Sequence, residues 1–269
     1  MNMTADSRPL LHVVAGVVLN ERGEYLLSSR PEGKAYAGYW EFAGGKVEAG
    51  ESEFEALQRE FAEELGIRIH RATPWLTTIH SYEHARVHLR FFRVAAADWS
   101  GELQAQEGQK WSWQRAGDYT VAPMLPANTA LLAALAVPTM LSGSLVTGFY
   151  GENALGEYRV APLALAEPQH RHIVLTLAEA QRLGKLPPAD SIWLVVEQST
   201  SLRQAADADV WVWRARDTES AEAALAVLAE GVPVPLVLLA DAGLCHLYSQ
   251  AWLQAGAHAV VMDTETALA

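Results

Sequence analysis

Three glutamates near residue 60 have the types and spacing of a binding site for a hard metal ion. Glu60 lies three residues before Glu63 and four before Glu64, so on a helix all three carboxylates project from one face. Carboxylates at this spacing repel one another when bare, and oxygen-only ligands suit Mg²⁺ or Mn²⁺. The spacing therefore favours a divalent-metal site, and the open alternative is an ordinary solvated helix face.

The distribution of charge points to the same segment. Residues 41–64 hold eight acidic and two basic side chains, a net charge of −6, while the whole chain of 269 residues has a net charge of −12. Such crowding is costly unless the carboxylates face water or share cations. The acidity of the whole chain disfavours nucleic-acid polymers and anionic membrane surfaces as partners.

A single helix is predicted to carry these carboxylates. Ser52 and Glu55 form an S-x-x-E capping box, and Gly66 is a favourable stop. Apolar side chains recur at helical spacing at residues 54, 57, 61 and 65. The pattern predicts a helix over residues 53–65.

The flanking segments predict a mixed α/β domain. Strand patterns occur at residues 13–19, 25–29, 75–80, 88–95 and 110–114, and a helical pattern at 128–135. Turn chemistry at residues 20–23 predicts that the first two strands form a β-hairpin. Together these elements assign residues 1–137 to one domain.

The rest of the chain has a different sequence pattern. Short apolar runs at residues 173–175, 192–196, 210–213, 236–239 and 259–262 alternate with helical stretches at 178–183, 201–206, 220–230 and 247–255. This alternation predicts a second α/β domain over 157–269, built on a parallel sheet with crossover helices. Residues 138–156 interleave Ser, Gly and Thr and are predicted to be a linker.

The segment 45–67 resembles the signature of the Nudix hydrolase family, G-x5-E-x7-R-E-U-x-E-E-x-G-U, in which U is a bulky apolar residue. The fixed positions are Gly45, Glu51, Arg59, Glu60, Phe61, Glu63, Glu64, Gly66 and Ile67. The resemblance implies an α/β/α sandwich with a mixed sheet. It also implies hydrolysis of a nucleoside diphosphate linked to another group, with Mg²⁺ as cofactor and Mn²⁺ as a substitute.

The resemblance also assigns roles by position. Glu60, Glu63 and Glu64 are the implied metal ligands, and the carbonyl near Gly44 completes the set. Glu51 with Arg59 braces the loop and the helix. The carboxylate that accepts the proton of the attacking water is left open between Glu60 and Glu107.

Four further matches resemble the MutT branch over residues 12–135. They are Ser28-Ser29-Arg30, Trp40-Glu41-Phe42, Glu107-Gly108-Gln109 and Leu125-Pro126-Ala127-Asn128. The branch hydrolyses oxidised purine nucleoside triphosphates, especially 8-oxo-dGTP, to the monophosphate and pyrophosphate. This resemblance implies nucleotide-pool sanitation, a function associated with DNA replication and DNA repair. By this resemblance Arg30 contacts phosphates or sugar, Phe42 helps to line the base pocket, and Asn128 hydrogen-bonds the purine. Taken alone, Arg30 and Asn128 also fit a surface arginine and a helix cap.

Residues 170–263 resemble the later strands of a thiamine-phosphate-synthase-like (β/α) barrel. The glycine-rich phosphate-binding turns of such barrels are missing at residues 214–218 and 239–243, and a full barrel needs roughly 200 residues or more. We therefore expect a partial barrel that is not catalytic. Its open edges predict a cover, either the N-terminal domain or a second chain in a homo-oligomer.

Two features suggest a cellular compartment. A lone cysteine, Cys245, fits a reducing environment, and the N-terminal apolar run is short and contains His12. We therefore expect a cytoplasmic protein without a signal peptide. Two alternatives to nucleotide sanitation stay open: hydrolysis of a thiamine-pathway diphosphate or another nucleoside diphosphate derivative, and a regulatory role in which the protein only binds a nucleotide.

Overall fold

The computed structural model describes residues 8–81 and 86–264. The chain divides into two compact units, one of Met1–Arg115 with Thr120–Asn128 and one of Ala116–Tyr119 with Thr129–Ala269. The division therefore falls earlier in the chain than the predicted boundary at residue 137. Among the described helices, none combines the length and the apolar character that a bilayer crossing requires.

The first unit consists of short sheets and one α-helix. Its elements are β1 (Leu10–Val18), β2 (Tyr25–Ser29), β3 (Trp40–Glu41), β4 (Gly44–Lys46), α1 (Glu53–Leu65), β5 (Arg68–Ile69), β6 (Thr73–Ser81), β7 (Arg86–Val94), β8 (Trp99–Ser100) and β9 (Trp111–Gln114), with 3₁₀ turns at Ala96–Asp98 and Pro126–Asn128. The sheets have the strand orders β4-β1-β7-β6, β3-β2-β9 and β5-β8. Because β1 runs parallel to β7 and antiparallel to β4, the largest sheet is mixed, as predicted.

The predicted hairpin of the first two strands is wrong. The turn forms, since the Asn20 amide donates to the Glu24 carbonyl, but only the bridge between Leu19 and Tyr25 joins the two strands. Beyond it, β1 pairs with β4 and β7, while β2 pairs with β3 and β9. The turn therefore passes the chain from one sheet to the next.

Helix α1 has the predicted bounds and lies on the mixed sheet. The Ser52 side chain accepts from the Glu55 amide and Glu55 reciprocates, and Gly66 ends the helix with φ 69°. Phe61 packs against β1 at Gly16, where a Cβ would lie 2.8 Å from the ring. Because Gly16 has no side chain, the helix can approach the sheet closely. This approach sets the distance between the sheet and the helix that carries the carboxylates.

The second unit is built on a single large sheet. Its elements are α2 (Thr129–Leu135), β10 (Leu141–Ser144), β11 (Gly148–Asn153), β12 (Gly156–Pro162), β13 (His172–Thr176), α3 (Leu177–Leu183), β14 (Ser191–Val196), β15 (Val210–Arg214), α4 (Thr218–Glu230), β16 (Leu236–Ala240), α5 (Ala242–Ala255) and β17 (Ala259–Met262), with 3₁₀ turns at Leu163–Leu165 and Ser199–Ala205. The strands follow in sequence order across the sheet. Strands β12 to β17 are parallel, as predicted for this part of the chain.

This sheet curls until its first and last strands, β10 and β17, lie next to each other. One buried cluster inside the curl takes side chains from its strands, among them Phe149, Trp193, Val212 and Val261. The eight strands thus form a nearly closed, barrel-like sheet, in keeping with the predicted partial barrel. Since β10 and β17 face each other, the open edges that motivated a covering partner are largely absent, and the homo-oligomer stays a prediction without that support.

The predicted linker at residues 138–156 is wrong. Strands β10 and β11 lie within it and pair with each other, and β11 also pairs with β12. Its glycines serve close backbone packing, because a Cβ on Gly143 would overlap the Gly148 carbonyl. Ser142, Gly143, Ser144, Gly148 and Gly151 are therefore strand residues of an antiparallel ribbon, and Thr147 lies in the turn that joins its two strands.

We expect slow amide hydrogen exchange in β11. The Phe149 amide lies in a strand that is paired on both sides, and its side chain is fully buried, so exchange should be slowed about 10³-fold or more relative to an unstructured peptide. Ala154, in the exposed turn after β11, is the matched control and should exchange quickly. Fast exchange at Phe149 would restore the linker hypothesis.

Candidate active site

Arg59 is the centre of the predicted carboxylate site. Its guanidinium holds Glu51 through two hydrogen bonds, from Nε at 2.9 Å and from Nη2 at 3.0 Å. Nη1 donates to Glu60 Oε1 at 2.9 Å and lies 3.2 Å from Glu63 Oε2. Nη2 also donates to the Lys46 carbonyl. A single arginine therefore ties helix α1 to the loop before it.

Glu51 fixes the other end of this loop. Its Oε2 accepts from the Glu48 amide at 3.0 Å in addition to the bonds from Arg59. Hydrogen bonds from the Arg59 guanidinium hold the pKa of the Glu51 carboxyl below its usual range. These contacts are those expected of a brace, the role that the sequence assigned to Glu51 and Arg59.

Two glycines of β4 allow close packing next to the Glu60 carboxylate. A Cβ on Gly45 would overlap the carboxylate of Glu60, and a Cβ on Gly44 would overlap the Val14 carbonyl. A larger residue at position 45 would therefore displace the Glu60 carboxylate, and one at position 44 would push β4 away from β1. The Gly44 carbonyl, a predicted metal ligand, belongs to the peptide unit that joins these two glycines.

Glu64 is partly buried and lies near several other acidic side chains. Burial, followed by the charges of Glu60, Glu107 and Glu41, raises the pKa of Glu64 to about 7 even though Lys34 acts in the opposite direction. The helix therefore presents a carboxylate that is poorly compensated by the protein itself. A bound cation would supply the missing positive charge.

The donor set fits a hard divalent cation in its chemistry, since it consists of oxygens and includes a glycine cradle beside Glu60. Within residues 8–81 and 86–264, however, no three acidic, histidine or cysteine side chains converge on one point. Arg59 holds the side chains of Glu60 and Glu63, as described above. The predicted ligands thus share a helix face, and their side chains must turn toward a common point to coordinate an ion.

Arg30, predicted to contact the nucleotide, braces its own loop. Its Nη1 lies 2.7 Å from both carboxylate oxygens of Glu41, and its Nε donates to the Ala35 carbonyl at 2.6 Å. Burial raises the pKa of Glu41 despite the neighbouring guanidinium. Glu41 was not singled out by the sequence analysis, although an acid inside an apolar run was a usable signal.

Glu107, one of the two predicted proton acceptors, lies on a loop that is anchored on the end of α1. The Glu64 carbonyl accepts from the buried Gln109 side chain at 2.5 Å and from the Gln106 amide at 3.1 Å. The Glu107 carboxylate pairs with Lys34 Nζ at 2.6 Å. Gln109 and Lys34 were both missed as site residues, and the Glu107-Gly108-Gln109 match was the signal for Gln109.

Phe42 and Asn128, predicted to contact the base, are both buried. Phe42 is 5% exposed and its ring lies among those of Tyr25 and Phe91, so it is primarily a core residue. Asn128 is 4% exposed and ends the 3₁₀ turn Pro126–Asn128, and within residues 8–81 and 86–264 its Nδ2 has no hydrogen-bond partner. An unpaired buried amide donor is costly unless a ligand completes it.

Comparisons with known proteins identify the family to which this chain belongs. A family model described as "NUDIX domain" matches residues 14–134. An 8-oxo-dGTP diphosphatase from Haemophilus influenzae is 35% identical over 125 residues, which cover 46% of this chain and 90% of that relative. The chain belongs to the Nudix family. A CTP pyrophosphohydrolase from Escherichia coli is 38% identical over 133 residues, with the same two shares.

Solved Nudix structures match the same portion of the chain. A MutT Nudix hydrolase from Burkholderia pseudomallei is 26% identical, covers 46% of this chain and 97% of its own, and has a TM-score of 0.42. A MutT structure from Aliivibrio salmonicida or Vibrio cholerae is 31% identical, with shares of 47% and 96% and a TM-score of 0.40. The resemblance of residues 170–263 to thiamine-phosphate-synthase-like barrels stays a prediction.

The Nudix assignment makes this chain a hydrolase of a family that generally uses divalent ions such as Mg²⁺. In the metal-free protein, the negative charge of Glu64 should then lower the free energy of unfolding. Because the pKa of Glu64 in the folded protein lies above its ordinary value of 4.5, the contribution of Glu64 to stability is most favourable below that value and is lost as pH rises through about 7.

We expect Glu64→Gln to stabilise the metal-free protein at pH 8 by roughly 1–2 kcal/mol and much less at pH 5. Thermal unfolding in EDTA at the two pH values measures this difference. Glu63→Gln is the matched control on the same helix, because its side chain is 59% exposed and screened by water. Equal effects of Glu64→Gln at both pH values would contradict the assigned cost.

Proposed function

We propose that the protein is a Mg²⁺-dependent pyrophosphohydrolase that cleaves oxidised purine nucleoside triphosphates, such as 8-oxo-dGTP, to the monophosphate and pyrophosphate. The observation that carries the proposal is the helix face of Glu60, Glu63 and Glu64, braced by Arg59 and Glu51. The names of relatives at 35% and 36% identity, both 8-oxo-dGTP diphosphatases, support the choice of substrate. On this proposal the protein acts in nucleotide-pool sanitation.

In this proposal Glu60, Glu63, Glu64 and the Gly44 carbonyl hold the metal ion. A divalent ion held there would offset the negative charge between these carboxylates and an anionic polyphosphate, and it would supply Lewis acidity toward phosphorus and toward the attacking water. The residues fit because they offer only oxygen donors and because several acidic side chains surround Glu64, which Lys34 offsets only in part.

The chain's own residues position and deprotonate the water. A new bond forms between the water oxygen and one of the two phosphorus atoms that flank the α–β bridging oxygen, the bond from that phosphorus to the bridging oxygen breaks, and the departing phosphate group keeps the electron pair. Glu60 or Glu107 accepts the proton. Arg59 keeps Glu60 at the helix face through its 2.9 Å bond, while the anchored loop of Gln109 keeps Glu107 near Glu64.

Asn128 provides the base recognition in this proposal. An amide offers a donor and an acceptor together, which matches the edge of a purine. Its buried Nδ2 without a partner supports this role, since burial without a partner is unfavourable until a ligand arrives. Arg30 acts mainly by shaping the loop of residues 30–38 rather than as a free cation.

A second candidate substrate is CTP, favoured by the Escherichia coli relative that is named a CTP pyrophosphohydrolase. A pyrimidine base would use the same carboxylate face and differ in its contacts with Asn128. Both substrates belong to one reaction class, so a single assay separates them. The second unit takes no part in either reaction on this proposal.

Turnover assays test the reaction and the base together. With Mg²⁺ and release of pyrophosphate as readout, we expect kcat/KM for 8-oxo-dGTP to exceed the values for dGTP and CTP. Glu60→Gln should lower kcat by about 10³-fold or more while leaving the thermal unfolding of the protein nearly unchanged. Preference for CTP would establish the second candidate, and no turnover of any nucleotide would refute the class.

A second test concerns Asn128. Asn128→Leu removes the amide at similar volume, and we expect it to lower kcat/KM for 8-oxo-dGTP by about 10–100-fold, the cost of one or two lost hydrogen bonds. The control is Asn20→Ala, an amide in the turn between β1 and β2. Equal losses for 8-oxo-dGTP and dGTP in Asn128→Leu would show that the amide does not read the oxidised base.

A further inference from the structure

Lys34 is a cation of the site to which neither the motif nor the comparisons assign a role. It lies in the loop of residues 30–38, and its Nζ is 2.6 Å from Glu107 Oε2. Both side chains remain partly exposed, at 49% and 41%. The pair is therefore open to water, and an exposed ion pair of this kind is held by at most about 1 kcal/mol.

The two loops joined by this pair are each fixed at their base. Arg30 holds the loop of Lys34 through the Ala35 carbonyl and Glu41, and the Gly38 amide donates to the Arg30 carbonyl. Gln109 and Gln106 fix the loop of Glu107 on the Glu64 carbonyl. Lys34 therefore reaches its acidic partner from a braced loop, and the side chain itself is the movable part.

The electrostatic neighbours of Lys34 explain why it lies there. Glu64 experiences the charges of Glu60, Glu107 and Glu41 together with the opposing charge of Lys34, and the pKa of Lys34 is raised first by Glu107 and further by Glu64. Arg59 and Arg30 are already bonded to other carboxylates. Lys34 thus compensates the part of the acidic cluster that these arginines leave unmatched.

We propose that Lys34 is an internal counter-cation of the site, which gives up Glu107 when a divalent ion binds and then contacts the phosphates of the nucleotide. The proposal rests on the proposed function for its substrate. A compact ammonium on a flexible four-carbon stem suits this exchange, because it acts as a point charge without a required geometry. Lys34 then weakens binding of the metal ion and strengthens binding of the substrate.

Lys34→Ala tests both parts of the proposal, the competition with the divalent ion and the contact with the phosphates. Without the competing ammonium, affinity for Mn²⁺ alone should rise about 2–5-fold, the equivalent of one weak ion pair. Free Mn²⁺ can be followed by electron paramagnetic resonance in the absence of nucleotide. In steady-state kinetics with 8-oxo-dGTP and saturating Mg²⁺, KM should rise about 10-fold, with kcat changed by less than about twofold.

Three further variants complete the experiment. Lys34→Arg keeps the charge and should restore both the Mn²⁺ affinity and KM, while Lys34→Gln should behave as Lys34→Ala. Arg68→Ala removes an exposed cation from β5 of the same unit, so it reports any general effect of lost charge. We expect it to leave both quantities within about twofold of the wild type.

The outcomes separate this proposal from the proposed function. Unchanged or weaker Mn²⁺ binding in Lys34→Ala, or a fall in kcat with KM unchanged, would overturn the role of Lys34. Failure of the wild-type protein to turn over any nucleoside triphosphate would instead overturn the proposed function. The Mn²⁺ titration needs no substrate, so it decides the counter-cation role in either case.

Discussion

The hydrogen bonds of Arg59 are the constraint on which the first unit's site depends. One guanidinium joins Glu51 in the loop, Glu60 and Glu63 on α1, and the carbonyl of Lys46 at the end of β4. A planar group with five donors is suited to such a junction, and a lysine would not reproduce it. Removing it would leave several carboxylates facing one another without compensation, so the charge that makes the site useful also makes it dependent on this residue.

Backbone groups around Arg59 also position the site. Gly16 lets α1 approach β1, and Gly45 leaves room for Glu60. The loop that carries Glu107 is held by carbonyls at the last turn of α1, which have no partners inside the helix. Groups that would otherwise be unsatisfied helix ends therefore position a candidate catalytic loop.

Local signals in the sequence were sufficient for α1 and insufficient for the segments whose partners are distant. The capping box at Ser52 and the stop at Gly66 are short-range interactions, and they gave the correct helix ends. Gly143 and Gly148 were misread, because their value lies in a close approach to neighbouring strands. The roles of Glu41 and Lys34 likewise depend on partners that lie 11 and 73 residues away. Asn128 was chosen by resemblance, and the structure revealed that its buried Nδ2 has no hydrogen-bond partner in the part of the chain that it describes.

The nearly closed sheet of the second unit has a consequence for how this module connects to the rest of a protein. Its first and last strands, β10 and β17, are neighbours along one seam, although 114 residues separate Ser144 from Ala259 in the chain. A chain that enters and leaves along one seam can be joined to another domain through a single connection without opening the sheet. Such a module has its own buried core and its own strand pairing, so its sheet is completed by strands of the second unit alone.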